Sequence, residues 1–271
     1  MQVDLHIHTC ASDGTWRPKD LICEAKRVGL GTLAITDHDT TGNVLEGEHL
    51  AKEANLKFIR GVEINSTKSG LNFHILGYGF DLENKILQEL LNHNIDLLLQ
   101  KDIDSIAQLE KEGWNVSAEE FKNYSYNRTR GGWSSLAYLQ DKNLCTDVND
   151  FFTRIFTAEH DLGFPDFPSV EEVIKTIHEA GGLAICAHAA SGFHGPGLNK
   201  VMEILCDEKF DGFECYHSNH TEEDTRNLLS YAQKNNLLIT GGSDCHGDFV
   251  PSRHLGKPYV TDTMLKFPLL K

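Results

Sequence analysis

What the chain lacks narrows its possibilities first. No apolar run approaches the roughly 18 residues needed to cross a bilayer. Basic residues are few: 25 Lys and Arg stand against 40 Asp and Glu, a formal charge of −15. A long nucleic-acid footprint needs a basic stripe to displace counterions, so that class of partner is disfavoured. With only 7 prolines and 40% apolar residues, the chain is neither fibrous nor disordered. It also lacks a C-x-x-C pair. The cysteines, Cys10, Cys23, Cys145, Cys186, Cys206, Cys215 and Cys245, are odd in number. No positive leader precedes an apolar block in the first ten residues, MQVDLHIHTC. Together these features predict reduced thiols in a cytoplasmic protein. Cys186 and Cys215 lie in apolar runs and read as small buried hydrophobes. Cys10 and Cys245 adjoin histidines, but the groups around them suggest a chemistry other than thiol attack. Histidine is what the chain has in excess: 14 residues, more than an apolar core requires.

At 271 residues the chain is near the upper limit of one hydrophobic core, which predicts one large domain carrying an insertion. Val3–Ile7, Leu33–Thr36, Lys57–Ile64, Phe73–Tyr78, Leu183–Ala187, Gly212–Tyr216 and Leu237–Thr240 read as strands. Amphipathic stretches lie between several of them, including Pro18–Val28 and Val170–Ala180; the latter is framed by Pro168-Ser169 and Gly181-Gly182. Such alternation predicts an α/β fold with a parallel sheet and helices outside it. From about Leu82 to Phe164 no strand pattern appears. Ile86–Leu109, Ser117–Phe121 and Trp133–Gln140 read as helices, so 82–164 is expected to be a helical insertion between barrel segments 1–81 and 165–271.

The informative pattern is where metal-binding residue types fall. The first strand ends in His6-Ile7-His8, the second in Asp37-His38-Asp39 and the third in Glu63; the fourth starts at His74. The fifth ends in His188, the sixth in His217, and the seventh runs into Asp244-Cys245-His246. In a β/α barrel the C-terminal strand ends meet on one face. His6 and His8, two apart on a strand, project to the same side. Imidazole with carboxylate suits Zn, Mn or Fe. A lone histidine at a strand end is ordinarily a hydrogen-bonded side chain, and His93 and His178, in helical patterns, read that way. Recurrence at nearly every strand end does not, because burying so many ionisable groups without partners would cost several kcal/mol each.

Several blocks carry a family resemblance: His6-Ile7-His8-Thr9, Ser12-Asp13-Gly14-Thr15, Ile35-Thr36-Asp37-His38-Asp39-Thr40, Gly61-Val62-Glu63-Ile64 and Gly242-Ser243-Asp244-Cys245-His246-Gly247. His74-Ile75-Leu76-Gly77-Tyr78 and Ala180–Ala184 leading to Ala187-His188 add to them. The chain resembles the polymerase and histidinol phosphatase (PHP) family, and within it the small stand-alone phosphoesterases acting on nucleotides. The resemblance implies a distorted seven-stranded β/α barrel with a cluster of two or three divalent ions. By motif, it implies His6, His8, Glu63 and Asp244 around one ion, Glu63 bridging to a second with His74 and His188, and Asp13, His38 and His246 around a third. Asp4 and Asp37 are candidates for orienting imidazoles or for loop hydrogen bonding.

Clustered ions would supply a hydroxide nucleophile near neutral pH and offset phosphate charge, so no Ser or Cys nucleophile is needed. His217 stands outside the implied ligand set and is expected to protonate the leaving alkoxide, bind phosphate, or hydrogen-bond a ligand. Arg128 and Arg130, in Asn127-Arg128-Thr129-Arg130-Gly131-Gly132, are the expected phosphate contacts. Similar phosphoesterases read Arg-Pro-His there. His194, in a Gly-rich loop, is a further expected substrate contact or a turn residue. Ala189 stands where relatives have proline. The expected substrate is a small phosphorylated molecule, foremost a nucleotide, with no membrane surface and no obligate protein partner. The alternatives are 5'-3' trimming of a short oligonucleotide, histidinol-phosphate hydrolysis, and a non-catalytic metal-binding module, which the apparent phosphate-binding residues disfavour.

Overall fold

The short apolar runs pair edge to edge in chain order. In the computed structural model, which describes residues 1–271, β1 (Gln2–Asp4), β2 (Leu30–Ile35), β3 (Lys57–Lys68), β4 (Leu71–Tyr78), β5 (Leu183–Cys186), β6 (Gly212–His217) and β7 (Leu238–Gly242) form one seven-stranded sheet. The sheet curls until its ends meet. Leu5 N–H donates to the Gly241 carbonyl, Asp244 N–H to that of His6, and Ile7 bridges to Cys245. Closure depends on Gly242, where a Cβ would collide with the backbone nitrogen and Cβ of His6.

The sheet departs from the all-parallel expectation at β4, which runs antiparallel to both β3 and β5. The cause is local. Only Ser69 and Gly70, both at positive φ, separate β3 from β4, so the two form a hairpin; a parallel return would need a dozen or more residues. The reversal explains why His74 near the start of β4 reaches the same rim as residues at the ends of the other strands.

Outside the sheet, α1 (Pro18–Val28) starts with proline in its first turn and stops on Gly29 in the left-handed conformation, burying Leu21, Ile22 and Ala25. With α2 (Val44–Glu53) it covers β2 and β3 in a cluster that includes Ile7, Leu33, Ile35 and Val44. Between β4 and β5 the chain forms α3 (Lys85–Lys111), α4 (Ala118–Phe121), α5 (Ser134–Asp141) and α6 (Val148–Asp150), joined by short irregular turns. These helices pack around their own cluster, with Ile106, Leu109, Phe121, Leu136, Tyr138 and Phe151 at its centre. The chain returns through α7 (Val170–Glu179), whose N-cap Ser169 accepts from Glu172 N–H and which buries Val170, Val173, Ile174 and Ile177. Each such side chain contributes about 1.5–3 kcal/mol on burial. Then α8 (Leu198–Ile204) and α9 (Glu222–Lys234) complete the outer layer.

The long helix α3 is tied to the barrel rim by a polar bond rather than by apolar packing alone. Asn94, fully buried on α3, donates to Asp39 at 2.7 Å and to the Asn65 carbonyl at 2.9 Å. Asp39 itself sits at φ 51°, in the left-handed region, and accepts from Asn65 N–H at 3.0 Å.

Candidate metal centre and cleft

The hub is Glu63, fully buried on β3. Its Oε2 lies 3.1 Å from His6 Nε2, 3.2 Å from His8 Nε2 and 3.3 Å from His38 Nδ1. Its Oε1 lies 3.1 Å from His74 Nδ1 and 2.9 Å from His188 Nε2. One carboxylate thus presents each oxygen to a different imidazole set, the arrangement a bridging ligand needs. Asp244 Oδ1 is 3.1 Å from His8 Nε2 and 3.5 Å from His6 Nε2. On the other side of His8, Asp13 stands 3.6 Å from His8 Nδ1, 3.3 Å from His246 Nε2 and 4.0 Å from His38 Nε2. Donor atoms of His6, His8, Glu63 and Asp244 all fall within 4.8 Å of one another; so do those of His8, Asp13, His38 and His246, and those of His38, Glu63 and His74.

These groups fit divalent ions on a stringent criterion. His6 Nε2, both ring nitrogens of His8, His38 Nδ1 and Glu63 Oε2 are buried and have no hydrogen-bond partner. Orphaned buried polar atoms are rare because each costs about 1–3 kcal/mol, and here they converge on one space. Backbone strain accompanies them: His188 and Asp244 hold φ of 24° and 55° at the ends of β5 and β7.

Hydrogen bonds behind the rings select which nitrogen faces the centre. His6 Nδ1 is 3.0 Å from Glu214 Oε1, an acceptor, so it carries its proton there and presents Nε2 inward. His246 Nδ1 is 2.8 Å from the Asp244 carbonyl, leaving Nε2 toward Asp13. His194 Nδ1 is 2.8 Å from the Asn72 carbonyl, so its Nε2 accepts from His188 Nδ1 at 3.3 Å, and His188 turns a bare Nε2 to Glu63. His217 is opposite in sense. Its Nδ1 accepts from Asn219 N–H at 3.1 Å, so its Nε2 donates to Asp244 Oδ2 at 3.2 Å.

Charge follows the same geometry. Burial opposes the charged form of His6, but Glu63, Glu214 and Asp244 overcome it and hold its pKa well above the usual value. Burial opposes ionisation of Glu63 too, yet His6, His74 and His38 keep it well below the carboxylate range. Asp244, against burial, is lowered by His6 and Arg253, and Asp13 by His246 and His38. Burial drives His188 well below 6.5 and His194 down to about 4, so both stay neutral, as the relay between them requires.

Above the donors, a cleft of about 410 Å³ opens between the barrel rim and the helices inserted after β4. His38, Glu63, His74, His188, Asp244 and His246 are at its base, and Trp133, Phe152, Phe164, Phe193 and Phe249 wall it. Arg128 faces it, but its guanidinium donates to the Ala11 and Ser12 carbonyls at 2.8 and 2.9 Å; with Gly132 N–H on the Asp13 carbonyl, residues 128–132 clasp the loop that presents Asp13. Arg130 is not part of the cleft wall: it pairs with Asp141 at 2.8 Å on the exterior. His194 and His217 lie behind the donor ring rather than in the cleft wall.

Sequence reasoning passed over Glu214, Arg253 and Lys101. Glu214 carried a signal, being a lone carboxylate inside the apolar strand Gly212–Tyr216, costly unless paired. Arg253 and Lys101 carried none, because what matters is their position across from distant segments.

Known proteins repeat this architecture. The family model described as the PHP domain matches residues 4–182. A 5'-3' exoribonuclease from Haemophilus influenzae is 28% identical over 244 residues, 90% of this chain and 89% of the relative. A 3',5'-nucleoside bisphosphate phosphatase from Chromobacterium violaceum is 26% identical over 263 residues, 94% of this chain and 90% of the relative. A solved structure from Bifidobacterium adolescentis, described as a candidate metal-dependent phosphoesterase, superimposes with a TM-score of 0.83 at 27% identity, covering 96% of this chain and 93% of that one. With more than half its length matched by the family model and its donor residues gathered at the rim of a seven-stranded barrel, the chain belongs to the PHP domain family.

Proposed function

We propose that the protein is a metal-dependent phosphoric ester hydrolase that removes phosphate from small phosphorylated molecules, nucleotides foremost. The observation that carries this reading is the convergence of orphaned imidazole and carboxylate atoms at the base of an aromatic-walled cleft. His6, His8, Glu63 and Asp244 would hold one ion, Glu63 with His74 and His188 a second, and Asp13, His38 and His246 a third, with Mn, Zn or Fe the suited metals. Such ions supply an activated water and offset charge on phosphate oxygens.

The remaining work falls to the chain's own side chains. Glu214 and His194 hold His6 and His188 in the tautomers that bare Nε2. His217 holds Asp244 through the oxygen facing away from His8, which makes it a positioning residue in place of a proton donor. Trp133, Phe164, Phe193 and Phe249 offer faces on which a base can stack, and the cleft volume suits one nucleotide. Residues 82–164 act as an insertion that supplies Trp133 and Phe164 to these walls, while Phe193 and Phe249 come from the barrel segment after it. Seven free cysteines support a reducing, cytoplasmic setting, and no helix is long and apolar enough to cross a membrane.

A second reading, trimming of a short RNA from its 5' end, is favoured by the likeness to the Haemophilus influenzae exoribonuclease. Against it stand the charge of −15 and a cleft faced by only Lys101, Arg128 and Arg253 as permanent cations. The test presents Mn-loaded protein with mononucleotides, nucleoside bisphosphates, histidinol phosphate and a labelled oligonucleotide, following phosphate release and shortening. Fastest release from a nucleotide is expected; faster degradation of the oligonucleotide, or preference for histidinol phosphate, would replace the substrate assignment.

A further inference from the structure

Beyond the metal ions, a phosphate entering the cleft is best held by a cation with free donors, and two of the three cations that face it are committed. Lys101 Nζ is 2.8 Å from Asp102 Oδ1 and lies 5.2–5.9 Å from the ring centres of Trp133, Phe156 and Phe164, with its side chain 9% exposed. The Arg128 guanidinium is spent on backbone carbonyls of the Asp13 loop. Arg253 differs. It donates one N–H to Asp244 Oδ2, the same oxygen that His217 holds, and its other guanidinium N–H groups have no partner within the protein. None of them is among the buried atoms left unpartnered, and the side chain, 23% exposed, lines both the cleft and a second depression beside Trp16 and His254, so those donors are accessible from solvent.

Resting on the phosphoesterase reading above, we propose that Arg253 is the clamp for the substrate's phosphoryl group, a role the sequence motifs point to in Arg128 and Arg130 instead. Three features argue for it. The guanidinium is planar, permanently charged and matched to two phosphate oxygens at once. Its hold on Asp244 fixes the fork directly beside the donor cluster, so a phosphate near Asp244 and His246 lies within its reach. And the bond to Asp244 uses only one edge of the fork, leaving the rest for an anion whose charge grows in the transition state. Arg253 follows Ser252 in a turn where its own N–H donates to the Val250 carbonyl, so the backbone that carries it is fixed before substrate arrives.

The test uses the metal-loaded full chain and its Arg253→Ala and Arg253→Lys variants, with Arg226→Ala, an exposed surface arginine on α9, as control. Inorganic phosphate affinity is measured by calorimetry, bound metal by mass spectrometry, and KM and kcat on the best phosphate ester. Arg253→Ala should weaken phosphate binding and raise KM on the order of tenfold to a hundredfold at unchanged metal content. Arg253→Lys should recover only part, because a point charge cannot pair two oxygens. Phosphate affinity within twofold of the wild type in either variant overturns the clamp. So does a loss that tracks lost metal, since Arg253 would then only hold Asp244. If Arg253→Ala does not fold, Arg253→Lys decides by the same criteria. The two readings fail separately: Arg253-dependent phosphate binding without ester hydrolysis sinks the proposed function and spares the clamp, while hydrolysis unaffected in both variants does the reverse.

Discussion

At the scale of the residue, the site is governed by which nitrogen of each imidazole carries the proton. Glu214 is the clearest case, because one carboxylate serves two of the proposed ligands: Oε1 faces His6 Nδ1 and Oε2 accepts from His188 N–H at 2.9 Å. Glu214→Gln keeps the shape but puts an amide donor against one of these groups. Metal affinity should fall about 10–100-fold, as is usual when the partner behind a ligand is altered. Competition with a chelating dye measures it, and unchanged affinity would mean that the His6 ring is held by packing alone. The thiols offer an independent check on burial. Burial pushes Cys215 and Cys245 up to about 12, so at pH 8 only about one in ten thousand of each is thiolate, the reactive form. Cys23 and Cys206 are exposed. Alkylation at pH 8 followed by peptide mapping should label those two first, and Cys186, Cys215 and Cys245 only after unfolding.

At the scale of the element, the inserted helices are fastened by buried polar bonds whose loss should exceed that of a surface pair. Asp102 on α3 accepts from Ser135 N–H at 3.1 Å and from its hydroxyl at 2.8 Å, satisfying the start of α5, and also pairs with Lys101. Asp102→Ala would leave an almost buried ammonium without its counter-ion. The expected cost is about 3–5 kcal/mol, read by urea unfolding. Less than 1 kcal/mol would show that water reaches Lys101 freely. This level also shows what the sequence disclosed and what it withheld. The periodicities of Pro18–Val28 and Val170–Ala180 mark α1 and α7 because a helix burying one face repeats every 3.6 residues. Strand ends bearing His6, His8, His38, Glu63 and Asp244 were legible because ionisable residues interrupt apolar runs. The antiparallel β4 was foreshadowed only by Ser69-Gly70, a turn signal outweighed by the alternation around it. Tautomers were not legible at all. Whether His217 donates or binds depends on Asn219 N–H, a backbone group that every sequence has.

At the scale of the whole molecule, the donor ring is a staple. Its members come from the segments after β1 and β2, from β3 and β4, and from the segments after β5 and β7, so ions bound there would tie the two barrel ends together. An ion that binds only the folded chain adds about 2.7 kcal/mol at a hundredfold excess over its dissociation constant, so chelation should lower the melting temperature by several degrees. The linkage to pH has a definite sign. In the metal-free protein His6 is held protonated well above its usual pKa by Glu63, Glu214 and Asp244. That pairing stabilises the fold below the unfolded value near 6.5 and is lost as pH rises through the raised folded value. A metal needs the bare Nε2 instead, so loading at pH 7 must expel the proton, and affinity must rise with pH until the raised folded value is passed. Glu63, Asp13 and Asp244 are already ionised far below neutrality and add no protons to this count. Calorimetric titration with Mn at pH 7 in two buffers of different ionisation enthalpy should therefore show net proton release, with a release that shrinks in the His6→Ala variant. Equal heats in the two buffers would mean that His6 enters the metal-free state neutral and that the carboxylates around it are not what holds the empty ring together.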